Sequence, residues 1–275
     1  MSSGSSVVRI AAGVEYDGSH FAGWQRQRHA RSVQGDIEAA LSIVADRPVE
    51  VACAGRTDAG VHAEGQVIHF DTDAERSERS WLLGTNSNLQ ADVVLRWLRV
   101  APPEFHARFS ARARHYRYTI VNRDTRPAIE HDYLAAVRLP LNVAAMLRAA
   151  RSLIGEHDFS AFRAAECQAA SPVRRVLWLT VARHGDRVVI DVAANGFLHH
   201  MVRNIAGVLI AIGTGKRPSE WAAEVLEGRD RTAGGITAPA AGLRFMGVRY
   251  PDAFDLPLGP ESRAVFDAIA KSGNL

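Results

Sequence analysis

Cys53-Ala54-Gly55-Arg56-Thr57-Asp58-Ala59-Gly60-Val61-His62 sets one carboxylate between two glycines, residues that permit tight turns and the close approach of another backbone or a ligand. The flanks determine how that run is held. Val49 to Ala54 reads as a short strand entering it, and Gln66 to Phe70 as the strand that follows. A loop on such rigid supports can expose Asp58 as a nucleophile. On that signal alone, an aspartate among glycines is more often a turn former bonded to its own backbone.

Outward from the loop, both directions show mixed structure. Val8, Ile10, Ala12, Val14 and Tyr16 alternate as a first strand, which Asp17-Gly18-Ser19 ends in a turn. Ser32 caps a helix with Val33, Ile37, Ala40, Leu41 and Val44 on one face. A helix around Trp81 to Asn88 and a strand around Val93 to Val100 precede Pro102-Pro103, which marks the boundary between halves. The expected divisions are a flexible N-terminus, 1–6, an α+β half, 7–104, carrying the loop, a second α+β half, 105–250, and a tail, 251–275.

The second half repeats the theme. His115 to Val121 reads as a strand and Val143 to Leu153 as a helix. Val176 to Arg183 and Val188 to Ala193 read as two strands joined at Gly185-Asp186, a hairpin signal. Phe197 to Ile212 is apolar and long enough for a helix, which Gly213 to Gly215 ends, and Trp221 to Leu226 suggests another. Val265, Phe266 and Ile269 give the tail the makings of a short docked helix. Strands paired by short turns, mixed with helices, define the α+β class.

With 275 residues, 47% hydrophobic and 23% charged, the chain can bury a substantial core as one large domain or two small ones. Neither a signal peptide nor an apolar run of membrane-spanning length is visible, so the cytoplasm is the expected compartment. Cys53 and Cys167 are too few and too separated for a disulfide framework and belong to no paired-cysteine metal motif, and both read as buried thiols. The net charge of +3 is weak evidence for an anionic partner. Lysine stands only at 216 and 271, leaving 31 of the 33 basic residues arginine, whose planar fork suits phosphate contacts and base stacking. A GC-rich coding bias accounts for that total equally well. Between residues 106 and 126, Arg108, Arg112, Arg114, Arg117, Arg123 and Arg126 interleave with His106, His115, Phe109, Tyr116 and Tyr118, a pattern suited to RNA. If that stretch is a strand, only alternate side chains can reach RNA.

The loop closely resembles the nucleophile loop of TruA-type tRNA pseudouridine synthases. The resemblance extends through Glu15-Tyr16-Asp17-Gly18, Gly23-Trp24-Gln25-Arg26-Gln27, Ser32-Val33-Gln34, Phe105-His106-Ala107-Arg108-Phe109-Ser110, Tyr116-Arg117-Tyr118 and His199-His200-Met201-Val202-Arg203-Asn204. It implies a pseudouridine synthase fold, in which two mixed α/β halves form a central, mainly antiparallel sheet with the active cleft between them. It implies that Asp58 is the nucleophile, that Arg203 pairs with the catalytic carboxylate, that Tyr116 stacks on the target uracil and that Arg56 helps displace the base. The implied substrate is uridine at positions 38, 39 and 40 of the tRNA anticodon arm, with a homodimer as the working form. The isomerisation is redox-neutral, and no cofactor or catalytic metal is implied. His115 stands where the family often has Lys or Arg, which weakens a phosphate contact there.

Three other readings compete. His199-His200 lie within the expected helix and point in different directions, with no ordered ligand set beside them. Phe70-Asp71-Thr72-Asp73 superficially resembles the aspartyl-phosphate loop of haloacid-dehalogenase-like phosphatases, but Glu75 stands where that motif has Thr or Val. A non-catalytic RNA-binding protein would share the basic and aromatic patches, and the co-occurrence of Asp58, Tyr116 and Arg203 favours catalysis over it. Trp24 to Gln27 fits either an RNA-contacting loop or one anchored in the core by Trp24.

Overall fold

The computed structural model describes residues 7–273, so the segment 1–6 expected to be flexible lies outside the described residues. The chain forms two compact units. One contains the residues up to Arg112 together with Phe245–Ser262, and the other contains Ala113–Arg244 and the residues from Arg263 onward. The diproline therefore lies inside the first unit.

In the first unit, β1 (Val8–Tyr16), β2 (Ala52–Cys53), β3 (His62–Thr72) and β4 (Val93–Ala101) combine with α1 (Val33–Ala45) and α2 (Glu78–Asn88). The strand order is β4-β1-β3, with β1 antiparallel to both neighbours and β2 paired to β3. Ile10 through Val14 are all buried, so β1 is covered on both faces and does not alternate. Gly13 is needed there because the Trp97 indole occupies the space of a side chain, 2.0 Å from where a Cβ would stand.

Ser32 caps α1 as the sequence indicates, accepting from the Gly35 amide. The strand expected over Val49 to Ala54 shrinks to two residues, and α1 supplies the reason. The Val49 amide donates to the Ser42 hydroxyl at 2.9 Å and the Val51 amide to the buried Glu38 carboxylate at 3.1 Å. Those donors are taken before a ladder can form. Phe70 of β3 meets Trp81 of α2 edge to face at 5.3 Å. Truncating a ring of that size in a core costs about 3–5 kcal/mol, which is the scale on which this contact fixes helix to sheet.

The second unit contains β5 (Ala113–Asn122), β6 (Ala135–Val137), β7 (Gly155–Asp158), β8 (Val173–His184) and β9 (Arg187–Ala194). The order β5-β9-β8-β7 is antiparallel throughout, and β6 lies parallel to β5. Gly185, at φ 62°, makes the two-residue hairpin between β8 and β9. Of the helices α3 (Val143–Arg151), α4 (Met201–Gly213) and α5 (Trp221–Gly228), α3 packs on β8 and α4 on β5, and the three pack on one another. Helix α4 starts later than its apolar run suggests, because His200 takes a left-handed conformation, φ 63°, immediately before it.

The strand β10 (Leu243–Arg249) carries the chain back to the first unit, where it lies next to β3. The tail then forms α6 (Pro260–Lys271), in which Phe266 and Ile269 are buried. Phe266 meets the buried His115 ring edge-on at 6.3 Å. Among the described residues, no helix is long and apolar enough to cross a membrane.

Candidate active site

The loop between β2 and β3 is fixed at each end. At its start, the Ala54 amide donates to the Val67 carbonyl at 2.8 Å. The fully buried Gln66 side chain then takes both backbone groups of Gly55, donating to its carbonyl at 2.6 Å and accepting from its amide at 3.3 Å. The amide side chain thus extends the ladder where β2 has ended. Thr57 points inward, its hydroxyl 2.7 Å from that of Tyr16, and its carbonyl accepts from the Trp24 amide at 3.0 Å.

Asp58 opens a tight turn. The Val61 amide donates to the Asp58 carbonyl at 3.2 Å, and Gly60 at the third position has φ 75°, a conformation that favours glycine. Gly18 and Gly23 support the turn from beneath. A Cβ on Gly18 would stand 2.0 Å from the Val61 carbonyl oxygen, and one on Gly23 would stand 3.0 Å from that of Thr57. Asp58 remains partly exposed and Arg56 exposed on this anchored loop.

Trp24 is 2% exposed, so it anchors its loop in the core, while Gln25, Arg26 and Gln27 are exposed. Both cysteines are partly exposed instead of buried. Enough protein nonetheless surrounds the Cys53 sulfur to push its thiol up to about 12, with the charges of Arg56 and Arg108 opposing. Cys53 is therefore a thiol at neutral pH. Asp71 is held in a two-point ion pair by Arg9 at 2.7 Å on each oxygen.

In the second unit, Tyr116 sits on β5, nearly buried, its ring edge-on to Phe197 at 5.0 Å. Arg203 lies in the first turn of α4. Its Nε donates to the Ala238 carbonyl at 2.9 Å, and its own carbonyl accepts from the Ala238 amide at 3.1 Å. The next residue, Pro239, accepts from the Tyr118 hydroxyl at 2.9 Å. Burial raises the Tyr118 phenol, against the charge of Arg203. Strand β5 and helix α4 thus share one short segment, 238–239.

A family model described as tRNA pseudouridine synthase matches residues 12–110 and 149–251. The chain belongs to the tRNA pseudouridine synthase family. It is 57% identical over 249 residues to tRNA pseudouridine synthase A of Methylococcus capsulatus, covering 90% of this chain and 92% of that one. The Nitrosococcus oceani protein of the same name is 57% identical over 250 residues, covering 91% and 96%. That of Salmonella typhimurium is 52% identical over 256 residues, covering 93% and 95%. As a tRNA pseudouridine synthase the chain is an isomerase, converting uridine to pseudouridine in tRNA. Arg56 and Asp58 fall in the first matched block and Arg203 in the second, while Tyr116 lies between the two.

Within the synthase, several members of the basic stretch are bonded to the protein. The Arg117 guanidinium and His115 both bond Asp191 at 2.9 Å, Arg123 bonds Asp186 at 2.9 Å and Arg114 donates to the Asn195 carbonyl at 3.0 Å. Burial opposes the charge on Asp191, but these bonds hold its carboxyl below the usual range. His115 is a core residue, which removes it from any phosphate contact. Arg108, Arg112, Arg126 and Phe109 are exposed. The His199-His200 pair lies just before α4 instead of within it, and the two rings lie 4.1 Å apart instead of diverging. The left-handed turn at His200 accounts for both. Gln66, which holds the loop's backbone, carries no sequence signal that separates it from other strand residues.

Proposed function

We propose that this synthase modifies uridines 38, 39 and 40 of the tRNA anticodon stem-loop, with the Asp58 carboxylate as nucleophile. The observation that carries this reading is a partly exposed carboxylate on a turn whose backbone is fixed by Gln66, Tyr16-Thr57 and the Trp24 amide, in the motif that matches the family's nucleophile loop. A nucleophile gains most when it is held in place before the substrate arrives.

The reaction breaks the N-glycosidic bond at N1, turns the uracil and joins its C5 to the sugar. Hydrogen is lost from C5 and gained at N1, so nothing is oxidised or reduced. Asp58 serves in this scheme whether it adds to the sugar, adds to the uracil or draws a proton from the sugar to give a glycal. Arg203 pairs with the carboxylate as its cationic partner. Tyr116, braced edge-on by Phe197, gives the detached uracil a flat face. Arg56, exposed beside Asp58, fills the place of the displaced base or holds a phosphate.

The resemblance further implies a cytoplasmic homodimer in which one tRNA touches both copies. The test is site-resolved pseudouridine mapping on unmodified tRNA transcripts incubated with the protein and no added cofactor. Product at positions 38 to 40 is expected. Product confined to other positions would overturn the assignment of the target site.

A further inference from the structure

Residues 231–238 run as a strap along α4, held by a set of bonds that the reaction as described does not use. Arg231 donates from Nη1 to the Gly235 carbonyl at 3.0 Å. Its Nη2 donates to the Thr237 hydroxyl at 2.8 Å and to the Asn204 side-chain oxygen at 3.1 Å. The Thr237 hydroxyl in turn donates to that same Asn204 oxygen at 2.7 Å. Asn204 is itself 1% exposed and anchored by donating to the Phe162 carbonyl at 2.7 Å.

Arg231 Nη2 has a hydrogen for each of its two acceptors, and the Asn204 oxygen accepts from both Nη2 and the Thr237 hydroxyl, so the three side chains form one closed set of bonds. The strap also presses on the helix. A Cβ at Gly207 would stand 2.0 Å from the Ile236 carbonyl oxygen, so the two backbones meet there without a side chain between them. The strap ends on Ala238, whose carbonyl accepts from Arg203 Nε and whose amide donates to the Arg203 carbonyl.

We infer that Arg231 is a positioning residue: through Asn204 and Thr237 it fixes the strap, and through the Ala238 carbonyl the strap sets the orientation of the Arg203 guanidinium. The inference rests on the proposed role of Arg203 at the catalytic carboxylate. Asparagine at 204 follows Arg203 directly, so one turn of α4 carries both the guanidinium being aimed and the buried amide that holds its support.

The test compares Arg231→Ala, Arg231→Lys, Thr237→Val, Arg203→Lys and Arg203→Ala, and Arg231→Ala combined with Arg203→Lys, by tRNA affinity and by single-turnover rate at saturating tRNA. Arg231→Ala should bind tRNA within about twofold of wild type and lose about tenfold or more in rate, the scale of a small misplacement. Arg231→Lys should regain little, since a single ammonium cannot reproduce the fork. In the Arg203→Lys background, Arg231→Ala should add less than about twofold, the non-additivity expected when one residue acts through another.

An unchanged rate in Arg231→Ala, an equal rate loss in both backgrounds, or a loss confined to tRNA affinity would overturn the inference, the last because it marks a direct phosphate contact. If Arg231→Ala does not fold, Thr237→Val carries the same expectations with the charge kept. Wild-type turnover by Arg203→Lys and Arg203→Ala would instead remove the role of Arg203, and the purpose of the strap with it.

Discussion

Gln66 is fully buried, and its carboxamide is the partner of both Gly55 backbone groups. Replacing it by leucine keeps the volume and removes the bonds. A buried polar group left unpaired costs about 1–3 kcal/mol, so Gln66→Leu should lower unfolding stability by about 2 kcal/mol in urea denaturation. It should also slow single turnover by about tenfold or more while tRNA affinity holds, because the loop carrying Asp58 loses its anchor. Wild-type stability together with wild-type turnover would show that Gln66 does not hold the loop. Nothing in the sequence marks Gln66 for this task, since it reads there only as the first residue of a strand. The turn ending at Gly60 was legible because a positive φ constrains residue type locally, whereas Gln66 acts across the gap between two strands.

At the scale of elements, His69 joins β3 to the segment after the diproline. Its Nδ1 accepts from the Ala107 amide at 3.2 Å, and its ring lies 4.5 Å from that of His106. Burial first, then the neighbouring His106 and Arg9, hold the imidazole down to about 4, against about 6.5 in an unfolded chain. Below that unfolded value the unfolded chain binds a proton that the folded chain refuses. Stability from this residue is therefore complete above pH about 6.5 and falls between about 6.5 and 4, by at most about 3 kcal/mol. His106 is lowered by burial as well and acts in the same direction. Urea denaturation at pH 7 and pH 4.5 should show wild type losing about 2 kcal/mol more than His69→Gln over that interval. Equal losses in the two proteins would contradict the account.

The same scale shows what patterning could and could not give. Ser32 marked the start of α1, and Gly185-Asp186 marked the β8–β9 hairpin, because a cap and a two-residue turn are decided by neighbouring residues. The strand β7, Gly-Glu-His-Asp, has no strand-like composition and exists through its pairing with β8. Val49 to Val51 has that composition and is not a strand, because α1 takes its amides. The strand β10 escaped notice for a related reason: four successive residues from Phe245 to Val248 are buried, which gives no period to read.

For the whole molecule, a net charge of +3 is too small to bind RNA by bulk attraction, so affinity must come from placed arginines. Arg108, which lies over the Phe109 ring, and Arg112 are exposed, and Arg117 is half-buried against Asp191. Measured between about 50 and 200 mM salt, Arg108→Ala and Arg112→Ala should each weaken tRNA binding and reduce the steepness of its salt dependence by about 1 in the log–log slope. Arg117→Ala should leave that slope alone and lower stability instead. An unchanged slope in both Arg108→Ala and Arg112→Ala would place the RNA elsewhere on the surface.

Of the residues proposed for the reaction, Asp58 is the one on which every form of the mechanism depends. The most direct test is pseudouridine mapping with Asp58→Ala beside wild type, at equal tRNA occupancy. The account predicts that the variant binds tRNA and forms no pseudouridine at positions 38 to 40; pseudouridine at the wild-type rate in the variant would contradict it.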